Sequence, residues 1–344
     1  MAEKKKKYSI GGSALMEGIM MIGPKGLGLG FRLPDGSIET DLREQHMLKD
    51  KYKIARIPFI RGTINFIDQM VFTYKILMES AEKTSLDMDD DEEDMSKLDK
   101  WLSDHFGPKM MAVIGAIAAV LGFGLAFVLF FYLPSLLADG VEFIVKKDIT
   151  RLKPLLEGIV RAVILVVYMW AVSNMKEIKR MFMYHGAEHK SIFCYEKGLP
   201  LTVENIRKQT RFHPRCGTSF IFLVIIVSML LSTLIAFFFP ALRAKRLLWL
   251  AVKLLLLPLY LGIGYEVLQY AGKHNNAFVK ITSAPGLWMQ RITTKEPTDD
   301  IIEVAICATE ACLGMREPGI EKEETETEIE DEVVYPKEIT EDDD

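Results

Sequence analysis

Cysteine is scarce, at four in 344 residues, and histidine nearly as scarce, at six. In a cytoplasmic setting, four cysteines read as free thiols or metal ligands and not as a disulfide framework. Lys4 to Lys7 do not read as the head of a secretory leader, because Ser, Gly and Met follow with no apolar run before a small-residue cleavage site. Gly11 and Gly12 lack the glycine spacing and the following helix of a dinucleotide fingerprint. Nowhere do aromatic and basic residues interleave in a way that argues for nucleic acid, so none is expected as a partner.

Apolar residues, by contrast, make up 49% of the chain, and the mean hydropathy is positive at +0.15, which points to a membrane protein. Met110 to Leu133 carries no charge in 24 residues and Thr218 to Phe239 none in 22. Each is long enough to cross a hydrocarbon core of about 30 Å as a helix. Two further spans are expected at 155–172, where Glu157 and Arg161 stand four apart and can pair on one helix face, and at 247–265, which contains Lys253 and Pro258. Nine Lys and Arg lie between Ser173 and Cys216, against four in Pro134–Pro154 and three in Pro240–Arg246. The excess puts the 173–217 segment in the cytoplasm, with both termini of a four-span bundle on that side of the cell membrane.

Outside the spans, residues 1–85 read as a cytoplasmic region of mixed α and β character. Gly11 to Pro24 resembles a strand or a close-packed loop, and Pro34-Asp35-Gly36 is turn chemistry for a hairpin within Leu27–Asp41. From Ile57 to Lys83, Ile60, Ile64, Ile67, Val71, Tyr74 and Met78 recur at helical spacing. This is an amphipathic helix lying on the membrane or the bundle, or an ordinary core helix of the soluble part. Asp87 to Asp94, within 86–108, is an acidic linker. Ser283 to Trp288 reads as a turn with an interfacial aromatic, and Pro297 to Cys312 as a short helix opening on Asp299 and Asp300. From Glu317 on, fourteen acids face two lysines, a charge composition that predicts a disordered tail. Without it the chain is net positive, which suits an anionic inner membrane surface. The fold class expected is mainly α: a polytopic bundle over 109–316, a small α+β region before it and an acidic tail at 317–344.

Tyr184-His185-Gly186-Ala187-Glu188-His189-Lys190 is the stretch with chemistry in it. On a helix, His185 and His189 project to one side and could grip a divalent metal, zinc first among them, while Glu188 between them could act as a general base. The order H-x-x-E-H is that of one class of zinc hydrolases. His213 and Cys216 follow at H-x-x-C spacing just before the third span, and Glu266 ends the fourth, so all should meet at the inner membrane face. Three protein donors and an open position would make a catalytic site; His213 and Cys216 joining both histidines would close the shell and make it structural. A helical His pair can also simply cap, hydrogen-bond or face water.

Gly11-Gly12-Ser13-Ala14-Leu15-Met16-Glu17-Gly18, the Tyr184–Lys190 stretch, Arg211-Phe212-His213-Pro214-Arg215-Cys216-Gly217-Thr218-Ser219-Phe220 and Pro285-Gly286-Leu287-Trp288-Met289-Gln290 occur in this order. Together they resemble the bacterial YqhQ-like family of membrane proteins, a domain-of-unknown-function family. The resemblance runs from about Ser9 to about Cys312, and implies a predicted metal-dependent enzyme with no known substrate. Two function classes stand open. One is a metal-dependent hydrolase acting at the cytoplasmic interface on a peptide, lipid or lipid-linked substrate, or on a membrane protein. The other is a non-enzymatic scaffold or assembly factor in which the same residues clamp the fold. A transporter is disfavoured, since only Glu157, Arg161 and Lys253 are charged within the spans.

Overall fold

The computed structural model describes residues 8, 10–44, 52, 55, 57–84, 108–274 and 276–321. The acidic stretch Asp87–Asp94 and the tail beyond Glu321 lie outside the described residues. Strands β1 (Gly11–Leu15), β2 (Gly18–Gly23), β3 (Gly26–Arg32), β4 (Ile38–Arg43) and β5 (Gly319–Glu321) form one antiparallel sheet in chain order. The helices are α1 (Ile60–Thr84), α2 (Pro108–Phe127), α3 (Leu133–Val145), α4 (Lys153–Val172), α5 (Lys176–Lys197), α6 (Val203–Arg207), α7 (Gly217–Phe238), α8 (Pro240–Ala244), α9 (Arg246–Ala271), α10 (Ala277–Thr293) and α11 (Asp299–Leu313). A π-helical turn, Val128–Tyr132, joins α2 to α3.

Alternation along β3 organises the extramembrane part. Its sequence Gly-Leu-Gly-Leu-Gly-Phe-Arg sends Leu27, Leu29 and Phe31 to one face, where they pack with Leu15, Met20 and Ile76 of α1. The other face carries Gly28 and Gly30, and there α11 lies directly on the sheet. A Cβ at Gly28 would stand 2.3 Å from Ala308 O, and one at Gly30 2.8 Å from Val304 O. Ile19, Met21 and Ile38 on this face close a core with Tyr184, Ala187 and Ile192 of α5 and with Ile301, Ile302 and Ala305 of α11. Each such fully buried aliphatic contributes about 1.5–3 kcal/mol. The sheet is therefore covered on both sides, and the His-bearing helix α5 is held as part of its packed layer.

Four helical stretches are long and apolar enough to cross a membrane: Ile117–Val145, Lys153–Val172, Gly217–Phe238 and Leu247–Ala271. The first differs from its expected limits, because the helix continues past Leu133 through apolar Leu136, Leu137, Val141 and Ile144. The loop expected at Pro134–Pro154 begins only after Val145. Pro134 lacks an N–H and so leaves Phe130 O without its partner four residues on. Arg161 Nε on α4 supplies the hydrogen bond instead, at 2.8 Å. Glu157 is thus not paired with Arg161 as the four-residue spacing predicted; it sits between Arg243, at 2.8 Å, and Lys253, which reach it across the bundle.

Two other segments depart from expectation for identifiable reasons. Ser283–Trp288 is helical, inside α10: Asn276 caps that helix by accepting from Val279 N at 3.0 Å, and Gly286 lets it press against Ser219 of α7. Gly319–Glu321, counted with the acidic tail, is a strand on β4, and Arg316 pairs with Glu321 beside it. Helix α1 packs both under the sheet, through Phe72, Ile76 and Leu77, and on α9, where Gly62 meets Gly262.

Candidate metal centre

Helix α5 presents His185, Glu188 and His189 on one side, as spacings of three and four dictate. Cys216, at the N-cap of α7, approaches from the end of a membrane span. His185, His189 and Cys216 each offer one donor atom, and these atoms lie within 4.8 Å of one another. Donors about 2.0–2.3 Å from one zinc ion would stand roughly 3.5 Å apart. Closing on an ion therefore needs a contraction of about 1 Å, within the reach of side-chain torsions.

The hydrogen bonds behind the two imidazoles fit metal ligation. His185 Nδ1 lies 2.9 Å from Thr293 O, and His189 Nδ1 is hydrogen-bonded to Arg211 O. A carbonyl oxygen can only accept, so both Nδ1 atoms carry a proton, and Nε2 is the ring nitrogen left to face a metal. Metal-binding histidines are oriented in this way, by a hydrogen bond from the ring nitrogen that does not touch the ion. His185 Nε2 in turn faces Cys216 Sγ at 3.2 Å, and the sulfur is 3.2 Å from Thr218 Oγ1. The donor set, two imidazoles and a thiol, suits zinc or another borderline ion.

Glu188 stands next to this set, with its carboxylate 3.9 Å from His185 Nε2. It is 5% exposed. Burial pushes its carboxyl up to about 6, against the pull of His185 and of the Gly12 N–H that donates to it. A Cβ at Gly12 would come within 3.1 Å of Glu188 Cγ and 2.4 Å of Met20 O, so only glycine lets β1 lie this close to α5.

His213 is near but turned to other partners. Its backbone is clasped by Gln290, which accepts from His213 N and donates to His213 O, both at 2.7 Å. Its Nδ1 accepts from Arg215 N at 3.3 Å, and the ring packs between His189 and Phe193. Burial first, then the neighbouring His189 and Arg215, push it down to about 3, so it is neutral. Glu266 stands apart from the three-residue group. Both of its oxygens are taken by Arg61 of α1, at 2.7 and 2.5 Å, because α1 crosses α9 at Gly62 one turn away.

Several residues that hold the site carry no catalytic signature in the sequence. Thr293 and Arg211 act through backbone carbonyls. The strap 294–297 runs over Gly186, with Lys295 N donating to Phe182 O at 2.8 Å and Glu296 paired to Lys190 at 2.6 Å and to Arg211 at 2.5 Å. Glu17 accepts from Tyr184 Oη at 3.0 Å and pairs with Arg180, fastening the first hairpin to α5. Part of the signal lay in the four separated motifs: Gly12 and Glu17 of the first and Cys216 of the third reach the second, while Gly286 and Gln290 of the fourth hold Ser219 and His213 of the third.

The family described as "Protein of unknown function (DUF1385)" matches residues 57–315. A protein from Bacillus subtilis (strain 168) called "Uncharacterized protein YqhQ" is 37% identical over 312 residues, which cover 89% of this chain and 92% of the relative. No solved structure matches. The motifs that meet at the centre are those by which the chain resembles YqhQ-like proteins, and with the match spanning most of its length the chain belongs to that family.

Proposed function

We propose that the protein is a metal-dependent hydrolase, with zinc at His185, His189 and Cys216, acting at the cytoplasmic face of the membrane on a peptide, lipid or lipid-linked substrate. The observation that carries this reading is a set of three donors with a buried carboxylate beside it but outside it. Zinc held by three protein donors keeps one position for water or substrate and supplies Lewis acidity there. Within this frame the chain's own groups divide the work. Glu188 takes a proton from the attacking water and returns it to the leaving group, the role of a general base then acid. Thr293 O and Arg211 O orient the imidazoles, so that closing on the ion takes only a small adjustment of side-chain torsions. Neutral His213 and Phe193 wall the site without adding a charge. Nine basic residues between Ser173 and Cys216 support the cytoplasmic placement.

One observation favours the scaffold reading instead: His189 is 1% exposed and Cys216 7%, as in a closed structural centre. Glu188→Gln separates the two. It keeps the shape of the side chain but cannot take a proton. In the hydrolase, metal stays bound and complementation of a deletion strain is lost; in the scaffold, complementation survives. Full complementation by Glu188→Gln with metal retained would overturn the hydrolase.

A further inference from the structure

The end of the membrane bundle remote from the histidines holds a second set of charges. Glu157, 1% exposed, is bound by Arg243 and Lys253, while Lys153 is bound by Asp139, at 2.8 Å, and by Glu142. With Arg161 included, four cations meet three carboxylates among the described residues, one positive charge in excess. Arg161 is the cation that has no carboxylate at ion-pair distance among the described residues. Its Nε donates to the carbonyl of Phe130 that Pro134 leaves open, and its guanidinium lies 5.4 Å from the centre of the Phe131 ring. A guanidinium has five N–H donors, so that one bond leaves four for another acceptor. The π-helical turn Val128–Tyr132, which contains Phe130 and Phe131, is an irregularity of the kind that clusters at functional sites.

A cavity of about 120 Å³ opens beside Arg161, with Lys253, Ser228 and Tyr260 also in its wall. Glu157 and Ser232 form its deep side, at 1% and 4% exposure. Leu254 and Leu257 on its rim are 47% and 38% exposed on the outer surface of the bundle. The opening therefore faces hydrocarbon, not water. An uncompensated cation there is costly and calls for an anion from the same environment. About four water volumes fit in such a cavity. That is room for one small anionic group and the carbons next to it, with any longer chain left lying along the bundle. Met229, in the wall, is thirteen residues along α7 from Cys216, or about 20 Å at helical rise. The cavity is separate from the metal centre.

We propose that this cavity binds the anionic headgroup of a membrane lipid, with Arg161 as the bidentate contact to a phosphate or carboxylate and Lys253 as the supporting cation. Planar guanidinium geometry matches such groups with two parallel hydrogen bonds.

The test uses the full chain in neutral detergent, with lipid binding read by native mass spectrometry and by thermal shift. The probes are phosphatidylglycerol, phosphatidylcholine and glycerol 3-phosphate. Wild type should bind phosphatidylglycerol at least about tenfold more tightly than phosphatidylcholine. Arg161→Gln should lose about tenfold or more of that affinity, as expected for a lost charged hydrogen bond. Ser228→Leu, which fills the cavity and keeps every charge, should lose it too, and carries the test alone if Arg161→Gln does not fold. Protection by glycerol 3-phosphate equal to that by the lipid would overturn a membrane lipid as the occupant and assign the anion site a soluble source. Equal binding of both lipids, or phosphatidylglycerol binding untouched by the cavity-filling variant, would overturn the proposal.

Discussion

Gly186 lies in the middle of α5, where helix propensity alone says that alanine would stabilise the chain by about 1 kcal/mol. The structure reverses the sign. A Cβ at Gly186 would stand 2.1 Å from Lys295 O, against 3.4 Å for an ordinary contact. The strap would have to retreat by more than about 1 Å, and the obstacle is backbone, which has no rotamer to escape into. Retreat loosens the Lys295 N to Phe182 O hydrogen bond and draws Thr293 O, two residues back, from His185. Overpacking costs about 1–3 kcal/mol and the lost hydrogen bond about 1 kcal/mol more. Net of propensity, Gly186→Ala should destabilise by about 1–3 kcal/mol. Losing the carbonyl that orients His185 should weaken metal binding by about 10–100-fold. Thermal unfolding and metal content of the purified protein read the two effects. Gly11→Ala is the control, since a Cβ there meets nothing within 4 Å. A Gly186→Ala protein that melts at or above wild type with its metal intact would refute the strap's role.

Other substitutions separate the metal centre from its surroundings. Glu266→Gln should leave metal content unchanged, because both oxygens of that carboxylate serve Arg61; what should fall is thermal stability, as α1 loosens from α9. Gly62→Leu should act in the same direction and more strongly, since a Cβ there would already stand 2.9 Å from Gly262 Cα. A chain ending after Glu321 should insert and bind metal like the full chain, while one ending after Met315 also loses β5 and should unfold at a lower temperature. A single reporter cysteine in place of exposed Lys197 should react with a membrane-impermeant reagent only once the cytoplasmic side is opened; labelling of intact cells from outside would reverse the proposed orientation.

Local chemistry made the bundle and the heart of the site legible in the sequence. Uncharged runs of 24 and 22 residues announce two spans, Pro34-Asp35-Gly36 announces the hairpin between β3 and β4, and the four-residue step from His185 to His189 puts both rings on one side of a helix. What escaped was non-local or carried by backbone. Glu266 at the end of a span looks like a free ligand until Arg61, 205 positions away, is found on it. Pro285-Gly286 reads as a turn because local propensity cannot register a neighbouring helix that needs glycine for close approach. The glycines of β3 look like a weak strand, yet they are the surface on which α11 rests. Carbonyls such as Thr293 O and Arg211 O have no side-chain signature at all. The separated motifs hinted at a meeting point, and only the fold shows that it is one centre with Glu17 and Gln290 as its fasteners.

The most direct measurement is elemental analysis of the purified full-length chain, made in parallel on His189→Ala, Cys216→Ala and His213→Ala. A three-donor centre predicts about one zinc or other divalent ion per wild-type chain, loss of most of it in His189→Ala and Cys216→Ala, and retention in His213→Ala, whose ring is held by other partners. No metal in the wild type, or loss in His213→Ala as complete as in His189→Ala, would contradict the account.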